Sequence, residues 1–176
     1  MLPIDIVERP IVAVESVNGP GTATESLCAE ISTRNSFLEF AFRRHSIAGE
    51  CYKRFAKITI PSKPRALLEA MAKRKSDASK DLACRCGAIK KRNGFDPSRE
   101  SLALFMLDVH LNPVCSLDEA YIFAFKKEQD EIEVLDEVLS RQLDFAVKQF
   151  VMAEQKRLAD DIRELESDYV ELVADA

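Results

Sequence analysis

The sequence lacks any run approaching the roughly 18 consecutive apolar residues that a membrane span needs. Its first residues, MLPIDIVER, include a proline and two acidic side chains where a secretory signal needs a basic start and an unbroken apolar stretch. We therefore expect a cytoplasmic protein that does not bind membranes.

Glycine and proline are scarce, at five and seven of 176 residues, while 47% of the chain is apolar and 31% is charged. This balance is typical of a mostly helical protein and disfavours β-rich and disordered classes. The chain also has no basic excess, because 25 Lys and Arg face 30 Asp and Glu for a net charge of −5. We therefore expect no nucleic-acid partner. The length favours one domain with a full hydrophobic core.

Paired cysteine motifs are also missing. The five cysteines are odd in number and scattered, at Cys28, Cys51, Cys84, Cys86 and Cys115, which favours reduced thiols over a disulfide framework. Cys84-Arg-Cys86 has no second half, whereas zinc and rubredoxin-type iron sites need two Cys-x-x-Cys pairs or a comparable spacing. We therefore predict no rubredoxin-type iron site.

Apolar residues at spacings of three and four predict four long helices, at about 24–57, 63–87, 116–140 and 144–173. We expect residues 1–21 to form an N-terminal arm and residues 22–176 to form the four-helix domain. Capping boxes at Thr22–Glu25 and Ser116–Glu119 mark two helix starts. In the long connection between the second and third helices we expect a short helix at about 98–111. Two hairpins joined by one long crossover predict an all-α, ferritin-like antiparallel four-helix bundle.

Six polar residues fall on or beside the apolar stripes of these helices: His45, Lys75, Glu128, Glu131, Glu154 and Arg157. Hairpin turns near residues 60 and 141 would place His45 level with Lys75, and Glu128 level with Glu154. At ~1.5 Å per helical residue, one shared layer would then lie roughly 20 Å from the turns.

A buried carboxylate is costly unless it is paired, hydrogen-bonded or bound to a metal. For Glu128 and Glu131 three readings stay open: a shifted register that leaves them in solvent, ion pairs with Lys75 or Arg157, and metal ligation. Glu154 lies on a cleaner apolar stripe, which favours its burial. His45 is either a ligand or a core histidine bonded to a carbonyl or to Glu128.

Three segments resemble helices 1, 3 and 4 of rubrerythrin-like proteins of the ferritin-like superfamily: AFRRHSIAGECY at 41–52, AYIFAFKKEQDE at 120–131 and FVMAEQKR at 150–157. The resemblance places Glu128, Glu131 and Glu154 where ligands of a di-iron centre are expected. It also implies that other ligands have been lost. His45 occupies the position of a glutamate ligand, Lys75 and Ala78 occupy those of a Glu-x-x-His pair, and Arg157 occupies that of a histidine ligand.

Lys75 and Arg157 would add fixed positive charges that neutralise the glutamates and repel a divalent ion. The resemblance therefore implies no complete di-iron centre: either no cofactor, or a single iron or manganese ion held by His45, Glu128, Glu131 and Glu154. We expect a non-catalytic scaffold or binding protein. The alternatives are a divergent, rubrerythrin-type metal oxidoreductase and a small-molecule cavity between the helices.

The resemblance also favours a homodimer, because long helices in this family commonly dimerise. A basic run at 73–92 and an acidic run at 154–175 could align helices of neighbouring subunits. No protein or small-molecule partner can be named from these residues.

Overall fold

The computed structural model describes residues 31, 33–86 and 111–175. Four helices make up the regular structure of these residues: α1 (Arg34–Ile58), α2 (Ser62–Arg85), α3 (Leu117–Leu139) and α4 (Phe145–Ala174). For these residues the predicted all-α class and four-helix bundle are thereby confirmed. The predicted arm, Cys28 and nearly all of the crossover helix lie outside the described residues. None of the described helices is long and apolar enough to cross a membrane.

The first helix starts later than its apolar pattern predicts. Thr33 is extended, and its side chain accepts a hydrogen bond from the Ser36 amide at 3.2 Å. The Ser36 hydroxyl oxygen accepts in turn from the Thr33 amide at 2.9 Å. The prediction of an unbroken helix from about residue 24 is therefore wrong, because this capping box at Thr33 starts α1. The other helix ends differ from their predicted positions by at most two residues.

The second and third helices run in the same direction. Met71 of α2 and Ala124 of α3 belong to the same core cluster. Further along both helices Lys75 bonds Glu128, and further still Leu82 and Leu135 share the other cluster. Each hairpin, α1/α2 and α3/α4, is antiparallel with a short turn. Because α2 and α3 are parallel neighbours, the end of α2 and the start of α3 lie at opposite ends of the bundle.

The core consists of two apolar clusters. One includes Phe37, Leu38 and Val138, towards the end where α3 turns into α4. The other includes Phe55 and Leu67, towards the α1/α2 turn. At that second end, the Ile60 amide donates to the Pro113 carbonyl at 2.9 Å and so ties the turn to the chain entering α3. The buried pair of Lys75 and Glu128 lies between these two clusters.

Candidate functional site

Lys75 is the centre of a buried charge cluster. Its side chain is only 1% exposed, and its ammonium donates to the Glu128 carboxylate of α3 and to Asp161 Oδ2 of α4 at 3.0 Å. The Tyr52 hydroxyl of α1 donates to Glu128 Oε1 at 3.3 Å. All four side chains are buried. We call Tyr52, Lys75, Glu128 and Asp161 the Lys75 cluster; it links all four helices.

A glycine on α1 lets the helix carrying Lys75 come close. A Cβ atom built on Gly49 would lie 3.3 Å from Lys75 Cβ and 3.6 Å from the Ala72 carbonyl oxygen. A larger residue would hold the two backbones apart, so the absence of a side chain at Gly49 permits this spacing. Lys75 lies on the buried stripe of α2, between Met71 and Ala78, and its side chain therefore points into the bundle.

A second cluster surrounds His45. The His45 Nε2 atom and an Arg157 guanidinium nitrogen both bond the Glu154 carboxylate. Because an ionised carboxylate only accepts, this contact assigns a hydrogen to His45 Nε2. The Arg157 Nη2 atom lies 3.1 Å from His45 Nε2, and Arg157 Nη1 lies 3.8 Å from Asp81. Together, His45, Glu154, Arg157 and Asp81 are the His45 cluster, in which α1, α2 and α4 meet.

Glu131 pairs with neither Lys75 nor Arg157. It bonds Arg44 of α1 through two parallel contacts, with Arg44 Nη2 donating to Glu131 Oε1 at 2.6 Å and Arg44 Nε donating to the other oxygen. Such a two-pronged pair is stronger and more directional than a single contact. Glu131 is therefore neutralised by an arginine that the apolar pattern did not single out.

Burial and charge act in opposite directions on Lys75 and Glu128. Burial disfavours the ammonium, but Glu128 and Asp161 outweigh burial and raise the pKa of Lys75. Burial also raises the pKa of Glu128, and Lys75 offsets this only in part because Asp161 and Glu131 repel the Glu128 charge. One lysine thus pairs with two carboxylates. The pKa of Tyr52 lies well above its usual value because of burial and Glu128.

The carboxylates that have their own cations behave differently. Burial acts to raise the pKa of Glu154, but bonds from His45 and Arg157 lower it to about 2. Burial is likewise overcome by Arg44, which lowers the pKa of Glu131. Burial lowers the pKa of His45 more than Glu154 raises it, with Lys75 and Arg157 adding to the decrease. His45 is therefore neutral at neutral pH, while Glu131 and Glu154 are ionised.

The prediction of one shared polar layer is wrong. Glu128 contacts Lys75, whereas Glu154 contacts His45, so the four residues divide between two clusters. The α1/α2 register explains the split, because Ser46 Oγ bonds Ser79, one helical turn beyond Lys75. His45 is therefore level with the turn after Lys75. The burial of Glu128 also excludes the shifted register that would leave it in solvent.

Four members of the site were missed by the sequence reading: Tyr52, Asp81, Asp161 and Arg44. Asp161 lies seven residues after Glu154, on the same buried stripe of α4, and this heptad spacing was a usable signal. Arg44 has no such signal, because it reaches Glu131 from a half-exposed position beside the stripe.

The site residues that the structure describes do not fit a metal centre. Within the described ranges, no group of three or more histidine, cysteine or acidic side chains lies where it could hold a metal ion. Of the predicted ligands, Glu128 is bonded to Lys75, Glu131 to Arg44, and Glu154 to Arg157 and His45. Each carboxylate faces a positive or donating nitrogen, which a metal ion would have to displace or approach against its charge.

The complementary runs on the second and fourth helices meet within one chain. Arg74 of α2 bonds Glu164 of α4 at 2.9 Å and also bonds Asp168. The Lys63 ammonium donates to the Leu172 carbonyl at 2.6 Å. These contacts align α2 and α4 of the same subunit, so this charge pairing is not free to align neighbouring subunits.

The described cysteines form no disulfide. Cys51, Cys86 and Cys115 are buried, while Cys84 is exposed at the end of α2. Burial raises the pKa of Cys51 to about 11, which leaves it protonated at neutral pH and unreactive.

Comparison of the chain with family models, with curated proteins and with solved structures finds no match.

Proposed function

We propose that the protein is a non-catalytic, ferritin-like scaffold or binding protein whose own cations stand where a metal centre would be. The observation that carries this proposal is the Lys75 ammonium bonded to both Glu128 and Asp161 inside the bundle. A divalent ion would have to displace a buried, protonated lysine and would be repelled by its charge.

The balance of charges in the bundle supports the proposal. Four buried or nearly buried carboxylates, on Glu128, Glu131, Glu154 and Asp161, face three cations, on Arg44, Lys75 and Arg157. The deficit of one positive charge agrees with the raised pKa of Glu128. Each of the four carboxylates is nevertheless bonded to a cation of the protein itself, so none of them is left unpaired for a divalent ion.

The chain path supports the ferritin-like part of the proposal. Helices α2 and α3 are parallel neighbours joined by a connection that runs from Arg85 to Leu117. Two antiparallel hairpins joined by one such crossover are the arrangement of ferritin-like bundles, whereas simple up-down bundles use short loops throughout.

The buried groups are poorly suited to catalysis. A lysine nucleophile needs a lowered pKa, but the pKa of Lys75 is raised. The Tyr52 hydroxyl also has a raised pKa, so it is a weak proton donor at neutral pH. Both side chains are closed off from solvent. We infer that the Lys75 cluster has a structural role in holding the four helices in register.

Elemental analysis tests the proposal most directly. The protein is expressed with iron and manganese supplied, purified without chelator, and compared with Glu128→Ala and Glu154→Ala. We expect no metal above background in any of the three, and no peroxide reduction or ferrous iron oxidation after incubation with either metal. Glu133→Ala is the matched control, because Glu133 is an exposed glutamate on the same helix as Glu128.

One or two metal equivalents in the parent protein, retained by Glu133→Ala and lost from Glu128→Ala and Glu154→Ala, would overturn the proposal. That pattern would support the alternative, an oxidoreductase with a metal held by His45, Glu128, Glu131 and Glu154. Equal amounts of metal in all four proteins would instead indicate surface binding and would leave the scaffold proposal standing.

A further inference from the structure

An apolar patch lies on the outer face of the α3/α4 hairpin. The Tyr121 and Tyr169 rings are 4.6 Å apart across the seam between the two helices. The next residue of each helix, Ile122 and Val170, points outward and is 62% and 65% exposed. Phe125 lies against Tyr121, with ring centroids 5.9 Å apart. We call Tyr121, Ile122, Phe125, Tyr169 and Val170 the seam patch.

Exposed charges beside the seam patch have opposite signs on the two helices. On α3, exposed Lys126 comes before exposed Glu133. In the same spatial direction along the antiparallel α4, exposed Glu166 comes before exposed Lys156. Among the described residues these four form no salt bridge, unlike the α2 and α4 charges that pair within the chain.

The charges of opposite sign lie at matching heights. Tyr121 is level with Tyr169, and Gln155 donates to Asp136 at 2.6 Å, which fixes the register of the hairpin. Counting from these contacts, Lys126 lies within one turn of the level of Glu166, and Glu133 lies within one turn of the level of Lys156.

We propose that two copies of this chain dock through the seam patch, related by a two-fold axis parallel to the helices. Rotation about such an axis places α3 of one copy on α4 of the other, with residues at unchanged heights. Ile122 then packs against Val170 of the second copy, and Lys126 faces its Glu166. Because the axis is two-fold, every contact forms twice.

The charge order favours a second copy over an unrelated partner. An isologous interface requires the α3 surface to complement the α4 surface of the same sequence at the same height. Lys126 with Glu166 and Glu133 with Lys156 meet this requirement twice along the hairpin. An unrelated partner imposes no such relationship between the two helices. The proposed interface does not involve the buried charge clusters, so it stands or falls independently of the scaffold role.

Sedimentation of the full-length chain over a range of concentrations tests the interface. We expect a reversible dimer whose Kd rises at least about tenfold in Ile122→Arg and in Val170→Arg, because each buries an unpaired charge at the centre of the contact. The matched control is Ile60→Arg. Ile60 is also 65% exposed but lies in the α1/α2 turn, so its Kd should stay at the parent value.

Charge reversal tests the orientation of the two copies without disturbing the fold. Lys126→Glu and Glu166→Lys should each weaken the dimer by creating like-charge contacts, and the double variant should recover the parent Kd. A monomer at all concentrations would overturn the proposal. So would a dimer whose Kd is unchanged by both seam-patch arginines, or a double variant weaker than either single variant, while circular dichroism shows intact helices.

Discussion

The ammonium of Lys75 on α2 lies 3.0 Å from the carboxylate of Asp161 on α4 while it also bonds Glu128 on α3. One buried cation thus joins three of the four helices. A hydrophobic core fixes the distance between helices better than it fixes their relative heights. The Lys75 contacts fix both, because Lys75 bonds both carboxylates only when all three helices are in register.

Lys75→Met should destabilise the protein by about 3–5 kcal/mol, because it leaves Glu128 and Asp161 in the core without a cation. The free energy of unfolding in urea measures this loss. Lys73→Met is the control, since Lys73 is exposed on the same helix and should change stability by less than about 0.5 kcal/mol.

Adding Glu128→Gln to Lys75→Met should recover part of this loss, because one of the two unpaired charges is removed. A double-mutant cycle would then give a coupling of about 1–3 kcal/mol between the two positions. Strictly additive losses would contradict direct pairing of Lys75 with Glu128.

Tyr52→Phe should cost about 1–2 kcal/mol. It removes a hydroxyl that donates to Glu128 and leaves the buried carboxylate one hydrogen bond short. Thermal or urea unfolding measures this change. Tyr169→Phe is a matched control when unfolding is measured on dilute, monomeric protein, because the Tyr169 hydroxyl then donates to Asp118 in an exposed position and water can replace it. A loss at Tyr169 as large as that at Tyr52 would argue against a special role for the buried bond.

Stability should fall on acidification through the titration of His45. Because the folded pKa of His45 lies below its usual 6.5, the unfolded chain binds a proton more readily than the folded chain. The contribution of His45 to stability is therefore complete above pH 6.5 and decreases below it. Urea unfolding at pH 7.5 and 5.5 should show a smaller decrease for His45→Gln than for the parent protein. Equal decreases would contradict a neutral, buried His45.

Glu154 should act in a lower and separate pH range. Its pKa falls from 4.5 to about 2 on folding, so its stabilising contribution is present above pH 4.5 and is lost as the pH falls towards 2. Glu154→Gln should therefore show less further loss of stability between pH 4.5 and 3 than the parent protein. A parallel decrease in both proteins would mean that the carboxylate is not held by His45 and Arg157.

Gly49→Ala should destabilise the protein by about 1 kcal/mol, although this change inside a helix normally stabilises by a similar amount. The added methyl would lie 3.3 Å from Lys75 Cβ and 3.5 Å from the Ser76 amide nitrogen, and backbone-anchored atoms yield little. Calorimetry measures the change in Tm. A higher Tm would mean that α1 and α2 can separate slightly without disturbing the Lys75 cluster.

The helices and the burial of their polar residues were largely predictable from the sequence. Apolar spacing located the cores of all four helices and placed Lys75, Glu128 and Glu154 on buried stripes, where the structure has them. Ser116 and Glu119 form the capping box that their spacing predicts. Periodicity succeeds here because it depends only on the geometry of a single helix.

The pairing of charges was less predictable, because it depends on how helices are offset along their axes. The contact of Ser46 with Ser79 shows that α2 is offset against α1 by about one helical turn from the predicted pairing, and that offset exchanges one neighbour for the next. It separates His45 from Lys75 and brings Ser46 to Ser79. Asp161 was missed because Ile162, one position along, fits the apolar stripe nearly as well.

The Lys75 cluster also restricts how this protein can change over generations. Loss of Lys75 alone leaves two buried carboxylates without a cation, and loss of Glu128 or Asp161 alone leaves the buried lysine with one carboxylate fewer. Each single substitution in this cluster therefore destabilises the protein. Positions 75, 128 and 161 should therefore be inherited as a set. Where they differ between two descendants of this sequence, we expect them to have changed together, or to have been replaced jointly by apolar residues.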